Sequence, residues 1–192
     1  MRWWRIGGWA VGAAALLAMV LALRAFCLEP ASLRVVEDHI SLGGSATATV
    51  RIAILADLHV GSPFNGLVRL REVVARTNAA RPDVVCILGD LVIQGVLGGR
   101  FVSPEDISAE LKQLRTNAGV FAVLGNHDSW LNHDRVRSAL ERNGIRVIEE
   151  TAVRVAMPGG SIWLAGIATS GRNVPILVQH WRLWGTALRR WC

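Results

Sequence analysis

At 192 residues and 52% hydrophobic, the chain is long enough for one domain with its own core plus an appendage. A formal charge of +6 does not mark a nucleic-acid binder, because all 15 acids lie between Glu29 and Glu150 and the basic excess sits in two acid-free ends. Cys27, Cys86 and Cys192 stand far apart without a Cys-x-x-Cys pair, so neither a disulfide framework nor a zinc ribbon is implied.

The first element is a membrane candidate. Ile6 to Leu23 is free of charge, follows Arg2 and Arg5, and has Trp3, Trp4 and Trp9 near its start. Roughly 20 apolar residues in a helix span the hydrocarbon layer, and tryptophans favour its interface. A cleaved signal peptide is the rival reading, but Arg24 and Phe26 stand where small cleavage-site residues belong. Residues 1–28 are therefore expected to form a single-pass anchor in the cytoplasmic membrane through residues 6–23. Arg2 and Arg5 favour a cytoplasmic N-terminus and hence an extracytoplasmic domain, although Arg24 and Arg34 partly offset them.

Residues 29–46 carry Pro30 and Gly43-Gly44 and are expected to be a linker, with His39 given no role. Thr47–Ala56 predicts a strand. Leu67–Ala80 places Leu67, Leu70, Val73 and Val74 on one helical face and is stopped by Arg81-Pro82-Asp83. Val84–Leu88 is short and apolar on both faces, as a parallel strand requires, and Cys86 within it is a small core residue. A glycine-rich loop, Val92–Val102, precedes a helix with Ser103 as N-cap, Pro104 at its first position and Ile107, Leu111 and Leu114 facing inward. Val120–Leu124 is the third strand, followed by a helix near Asp134–Asn143 that ends at Gly144. Ile145–Ile148, Ala152–Val155 and Ile162–Ala165 are three shorter strands. Three β–loop–α units in succession predict a parallel α/β sheet.

Chemistry-bearing residues gather where those strands run out. Asp57-Leu58-His59, Gly89-Asp90 and Gly125-Asn126-His127-Asp128 each follow an apolar run, some 33 to 36 residues apart. In open α/β sheets ligands bind beyond the carboxyl ends of strands, so the three clusters can share one site. Any one alone reads as an ordinary turn; the ordered series does not. Carboxylate, amide oxygen and imidazole together suit manganese, iron or zinc rather than a thiol-loving metal. Two such ions would orient the attacking oxygen of a phosphoryl transfer, and His127 could protonate the leaving alcohol. His133 reads as a surface histidine near a helix start.

The series resembles the calcineurin-like metallophosphoesterases, and Ala56-Asp57-Leu58-His59 is similar to their membrane-anchored bacterial branch. The likeness covers about Arg51 to Gly166. It implies an α/β/β/α sandwich, incomplete here, within residues 47–168. It also implies that Asp57, His59 and Asp90 hold one divalent metal, that Asp90 and Asn126 hold a second, and that His127 is catalytic. Asp128 is expected to orient His127 rather than bind metal. The substrate would be a phosphomonoester, phosphodiester or pyrophosphate; a lipid-linked one suits an anchored enzyme. No nucleic-acid partner is expected.

The family's later motifs, a histidine after a further apolar strand and then Gly-His-x-His, do not follow. His180 comes too soon after Gly166 for that layout. Residues 169–192 instead form a Trp/Arg-rich tail, expected to arise from a frameshift, or else to be an amphipathic membrane-surface segment. The site is then expected to lack one ligand at one metal and two at the other. Three readings stay open: a phosphoesterase impaired by C-terminal loss, an inactive membrane protein that keeps the scaffold and, least favoured, a basic membrane-surface binding module that uses the Trp/Arg tail.

Overall fold

The computed structural model describes residues 2–29, 31–40, 49–157 and 160–167. Helix α1 (Arg2–Leu23) continues as a wider π-type coil over Arg24–Leu28. Strands β1 (Ile52–Leu55), β2 (Val84–Leu88), β3 (Val120–Val123) and β4 (Arg146–Val147) alternate with helices α2 (Leu67–Ala79), α3 (Pro104–Leu111) and α4 (Asn126–Arg142). Strands β5 (Thr151–Met157) and β6 (Gly160–Gly166) complete the described order. The predicted Trp/Arg tail, with His180, lies outside the described residues.

Strands β1 to β4 form a parallel sheet in chain order, and β5–β6 form a separate antiparallel pair. Alternation along β2 shows how the layers are built. Val85 and Ile87 belong to the main core, with Leu70 and Val74 of α2, Ile107 and Leu111 of α3, and Val136 and Leu140 of α4. Val84 and Cys86 point the other way, towards Val153 and Val155 of β5. A strand buried on both faces must be apolar throughout, and β2 is. The described layers are thus α, β and β, the mixed α/β architecture expected; the outer α layer of a full sandwich falls outside them. Burial raises the Cys86 thiol above its ordinary pKa, in keeping with a core residue.

Two elements differ from the sequence expectation. Strand β1 starts at Ile52, later than the predicted Thr47, and part of that stretch lies outside the described residues. Helix α4 starts at Asn126, not near Asp134, so the third cluster is the first turn of a helix. The physical reason is Asp128, at the third helical position. Its Oδ2 accepts from Gly125 N–H at 2.9 Å, one half of a capping box. Asn132 (φ 179°, ψ 100°) then interrupts the helix, and its Oδ1 caps the second half by accepting from Arg135 N–H at 3.0 Å. The periodicity near residues 134–143 belongs to that second half alone.

Asp128 also reaches across the sheet edge. Its Oδ1 accepts from Leu91 N–H at 2.9 Å and Val92 N–H at 3.3 Å, the segment that leaves β2. The carboxylate is fully buried. Burial raises its pKa, while the three N–H donors work in the opposite sense and only partly offset that rise. Asp128→Ala strands three buried N–H groups at once, each worth about 1–3 kcal/mol when unsatisfied. Urea unfolding should therefore show a loss of about 3 kcal/mol or more. Asp128→Asn, which keeps one acceptor oxygen, should lose less.

Candidate metal centre

The loops that leave β1, β2 and β3 meet at the carboxyl edge of the sheet. His59 N–H donates to Asp90 O and Val60 N–H to Leu91 O, both at 2.8 Å, so the first two clusters run side by side. His127 N–H donates to Asp90 Oδ1 at 2.9 Å and joins the third to the second. Two glycines permit this approach. A Cβ on Gly125 would stand 2.6 Å from Asp90 Cγ, and one on Gly89 2.8 Å from Gly125 Cα. Gly89 also has φ +80°, a left-handed conformation suited to glycine.

Asp57, His59 and Asp90 share a further property. Their φ values are +51°, +38° and +53°, so each predicted ligand of the first metal occupies the left-handed region. Asp and His tolerate that region better than bulky or β-branched residues, and such residues collect at functional sites. All three lie within four residues of the ends of β1 and β2, where the regular strand conformation stops. The His59 turn is braced by Asn65, whose Nδ2 donates to Leu58 O, and by Ser62 Oγ, which donates to His59 O at 2.5 Å.

The geometry brings together His59, Asp90 and His127, whose ligand atoms lie within 4.8 Å of one another. Two opposed ligands bound at about 2.1 Å each would span about 4.2 Å, so small side-chain rotations suit this set to a divalent ion. The donors are imidazole and carboxylate, as manganese, iron or zinc prefers. Asp57 stays outside the triad, 73% exposed, with Oδ1 3.8 Å from His59 Nε2. Asn126 is half-buried at the start of α4, one residue before His127.

The ring of His127 is held by a residue that sequence reasoning missed. Gln94 Nε2 donates to His127 O at 2.8 Å, which fixes the amide so that Oε1 faces His127 Nδ1 at 3.1 Å. An acceptor at that position places the proton on Nδ1 and leaves Nε2 for a metal or a second proton. Asp128, expected to orient the ring, does not touch it; its oxygens are taken by backbone N–H groups, and the contact belongs to Gln94. The rings of His59 and His127 meet at right angles with 4.9 Å between centroids, and Trp130, one turn on, lies at the same distance from His127. Gln94 sits four residues after Asp90 in a glycine loop, where no periodicity marks it. Trp130 becomes legible only once α4 starts at Asn126 and the i, i+3 spacing applies.

His133 and His39 lie apart from the centre. His133 pairs through Nε2 with Glu149 Oε2 at 2.9 Å, a carboxylate that also meets Arg137 at 3.1 Å. His39 is exposed in the segment after α1.

Comparison with known proteins accords with this geometry. A family profile described as calcineurin-like phosphoesterase matches residues 50–189. A putative metallophosphoesterase of Caenorhabditis elegans is 30% identical over 64% of this chain and 24% of its own length. A Danio rerio protein named transmembrane protein with metallophosphoesterase domain is 30% identical over 62% of this chain and 26% of its own. The chain thus spans about a quarter of the length of these relatives. A solved phosphopantetheinyl hydrolase from Mycobacterium tuberculosis shares 18% identity over 76% of this chain and 52% of that one, with a TM-score of 0.43. With the profile spanning most of the sequence and the three clusters converging at one sheet edge, the chain belongs to the calcineurin-like phosphoesterase family.

Proposed function

We propose that the chain is a membrane-anchored, metal-dependent phosphoesterase with a dinuclear centre. The convergence of His59, Asp90 and His127 at the carboxyl edge of a family domain carries this reading. Asp57, His59 and Asp90 hold one divalent ion, and Asp90 and Asn126 the second. When bound, such ions supply charge stabilisation for the attacking and leaving oxygens of phosphoryl transfer. Manganese, iron and zinc fit the donor set equally.

Within that centre the chain's own groups divide the work. Asp90 is anchored through Oδ1 by the His127 N–H, which leaves its remaining lone pairs for metal. His127 delivers a proton from Nε2 to the departing alcohol while Gln94 holds Nδ1. Trp130 walls one side of the ring and limits its rotation. Helix α1 and the coil that continues it include Val11–Leu28, a window apolar and long enough to cross a membrane, and fix the domain there. Arg2 and Arg5 before it favour a domain on the extracytoplasmic side. The substrate is a phosphate ester, and a lipid-linked one is the natural choice for a tethered enzyme.

Manganese-dependent hydrolysis of an aryl phosphodiester should vanish in Asp90→Ala and fall about 10²–10⁴-fold in kcat in His127→Ala. Hydrolysis without added metal, or equal rates in both variants, would overturn the assignment. Silence of the unaltered chain with manganese, iron and zinc would instead favour a scaffold without turnover. Gly125→Ala gives a second test: its backbone (φ −90°) accepts alanine, but a Cβ would stand 2.6 Å from both Asp90 Cγ and Asp90 N, so the whole Asp90 segment must shift. Calorimetric titration should show manganese affinity reduced at least about 10–100-fold. Gln94→Leu should lower kcat by about 10–100-fold with little change in KM, because it frees the ring without removing a ligand.

A further inference from the structure

The chain that leaves α1 is fastened to the domain almost at once. Ala31 N–H donates to Cys27 O at 3.3 Å and Ser32 N–H to Glu29 O at 3.0 Å, a hydrogen-bonded turn directly after the helix. Arg69 then donates to Ala31 O, and Arg76 NH1 to Leu33 O at 2.9 Å. Glu72 lies between the two arginines on α2, 2.7 Å from Arg69 and 2.6 Å from Arg76, and holds both in place. Ala31 is three residues on from Leu28, a reach of at most about 10 Å. The domain is therefore held against the end of α1.

The direction of α2 decides which end of the domain lies nearest. A helix joining two parallel strands runs back against them, so α2 begins at the carboxyl edge of the sheet. Arg69 is the third residue of α2 and Arg76 lies two turns further on, about 10 Å along the axis. The chain thus arrives from α1 at the same edge that carries His59, Asp90 and His127, and then runs away from it.

That edge also presents an apolar rim. Phe64 is 54% exposed, Val68 78% and Leu97 96%. Neither residues 60–68 nor residues 91–99 contain a charge. The two loops lie together: Arg100 N–H donates to Gly61 O at 2.8 Å, and a Cβ on Gly98 would touch Pro63 Cγ at 3.5 Å. Large apolar side chains on two charge-free loops, beside the end of a membrane-length helix, match the interfacial region of a bilayer.

We infer that the carboxyl edge of the sheet faces the bilayer spanned by α1, with Phe64, Val68 and Leu97 resting in its surface. This rests on the proposed phosphoesterase reading and deepens it: the substrate is a phosphate ester displayed at the bilayer surface, presented to the metal centre without leaving the membrane.

The test uses the full chain in liposomes, with Cys27, Cys86 and Cys192 replaced and single cysteines at Phe64, Leu97 or Lys112 carrying an environment-sensitive fluorophore. Lys112 follows α3 at the opposite edge and is exposed. Nitroxide-bearing lipid should quench the labels at 64 and 97 at least about threefold more than the label at 112. Equal quenching, or stronger quenching at 112, overturns the bilayer-facing edge. In a second measurement, Leu97→Asp should raise KM several-fold for a vesicle-borne phosphate ester and leave a water-soluble aryl phosphodiester unaffected; equal loss on both overturns the substrate assignment. Quenching needs no turnover. Inactivity of the unaltered chain on both esters would therefore overturn the hydrolase reading and its substrate class, while fluorescence alone decides the orientation.

Discussion

One buried carboxylate sets the geometry of the candidate centre. Asp128 accepts from the N–H groups of Leu91, Val92 and Gly125, so the segment leaving β2 and the start of α4 share one anchor. The clusters around Asp90 and His127 sit on those two segments. The anchor adds to β2–β3 pairing and the Gln94–His127 bond, and keeps Asp90 Oδ1 within reach of the His127 N–H. An ionised group is costly to bury alone, but three donors turn that cost into a rigid joint. Metal sites depend on such outer contacts nearly as much as on the ligands themselves.

The same economy appears in the backbone. Asp57, His59 and Asp90 adopt left-handed conformations at the points where strands must turn sharply. Each such residue costs of order 1 kcal/mol or more, and the surrounding hydrogen bonds must over-determine it. They do so here. His59 N–H is tied to Asp90 O, its carbonyl is braced by Ser62, and Asn65 closes the loop behind it. Gly89 and Gly125 then let two backbones approach more closely than any side chain would allow. Strand-end strain and backbone contact together place imidazole and carboxylate at one point.

Much of this was legible in the sequence, and the pattern of misses is physical. The parallel strands announce themselves as short apolar runs, and their spacing through α2 and α3 follows from periodicity and caps such as Ser103. Asp57, His59, Asp90 and His127 declare themselves by position after those runs. The start of α4 was hidden because Gly125-Asn126-His127-Asp128 satisfies turn and helix chemistry alike, and only the long-range bonds of Asp128 decide between them. Gln94 was illegible for a different reason. Its role depends on a contact 33 residues away across a glycine-rich loop, which no local pattern encodes.

The connection between α1 and the domain depends on the same sheet edge. A linker read from composition implies free rotation, since proline and glycine look the same whether a segment is tethered or loose. Arg69 and Arg76 remove that freedom by binding the carbonyls of Ala31 and Leu33, and Glu72 holds both guanidinium groups in place. Backbone carbonyls carry no sequence signature, so the tie is invisible until the fold brings α2 alongside. Its consequence follows from topology alone: in a parallel sheet the strand ends that carry chemistry are also where the following helices begin. A chain fastened to the first turn of α2 is fastened beside the candidate metal centre. The proposed anchoring and the proposed catalysis then share the same edge of the sheet, because the tie to α2 and the candidate ligands both lie at the carboxyl ends of the strands.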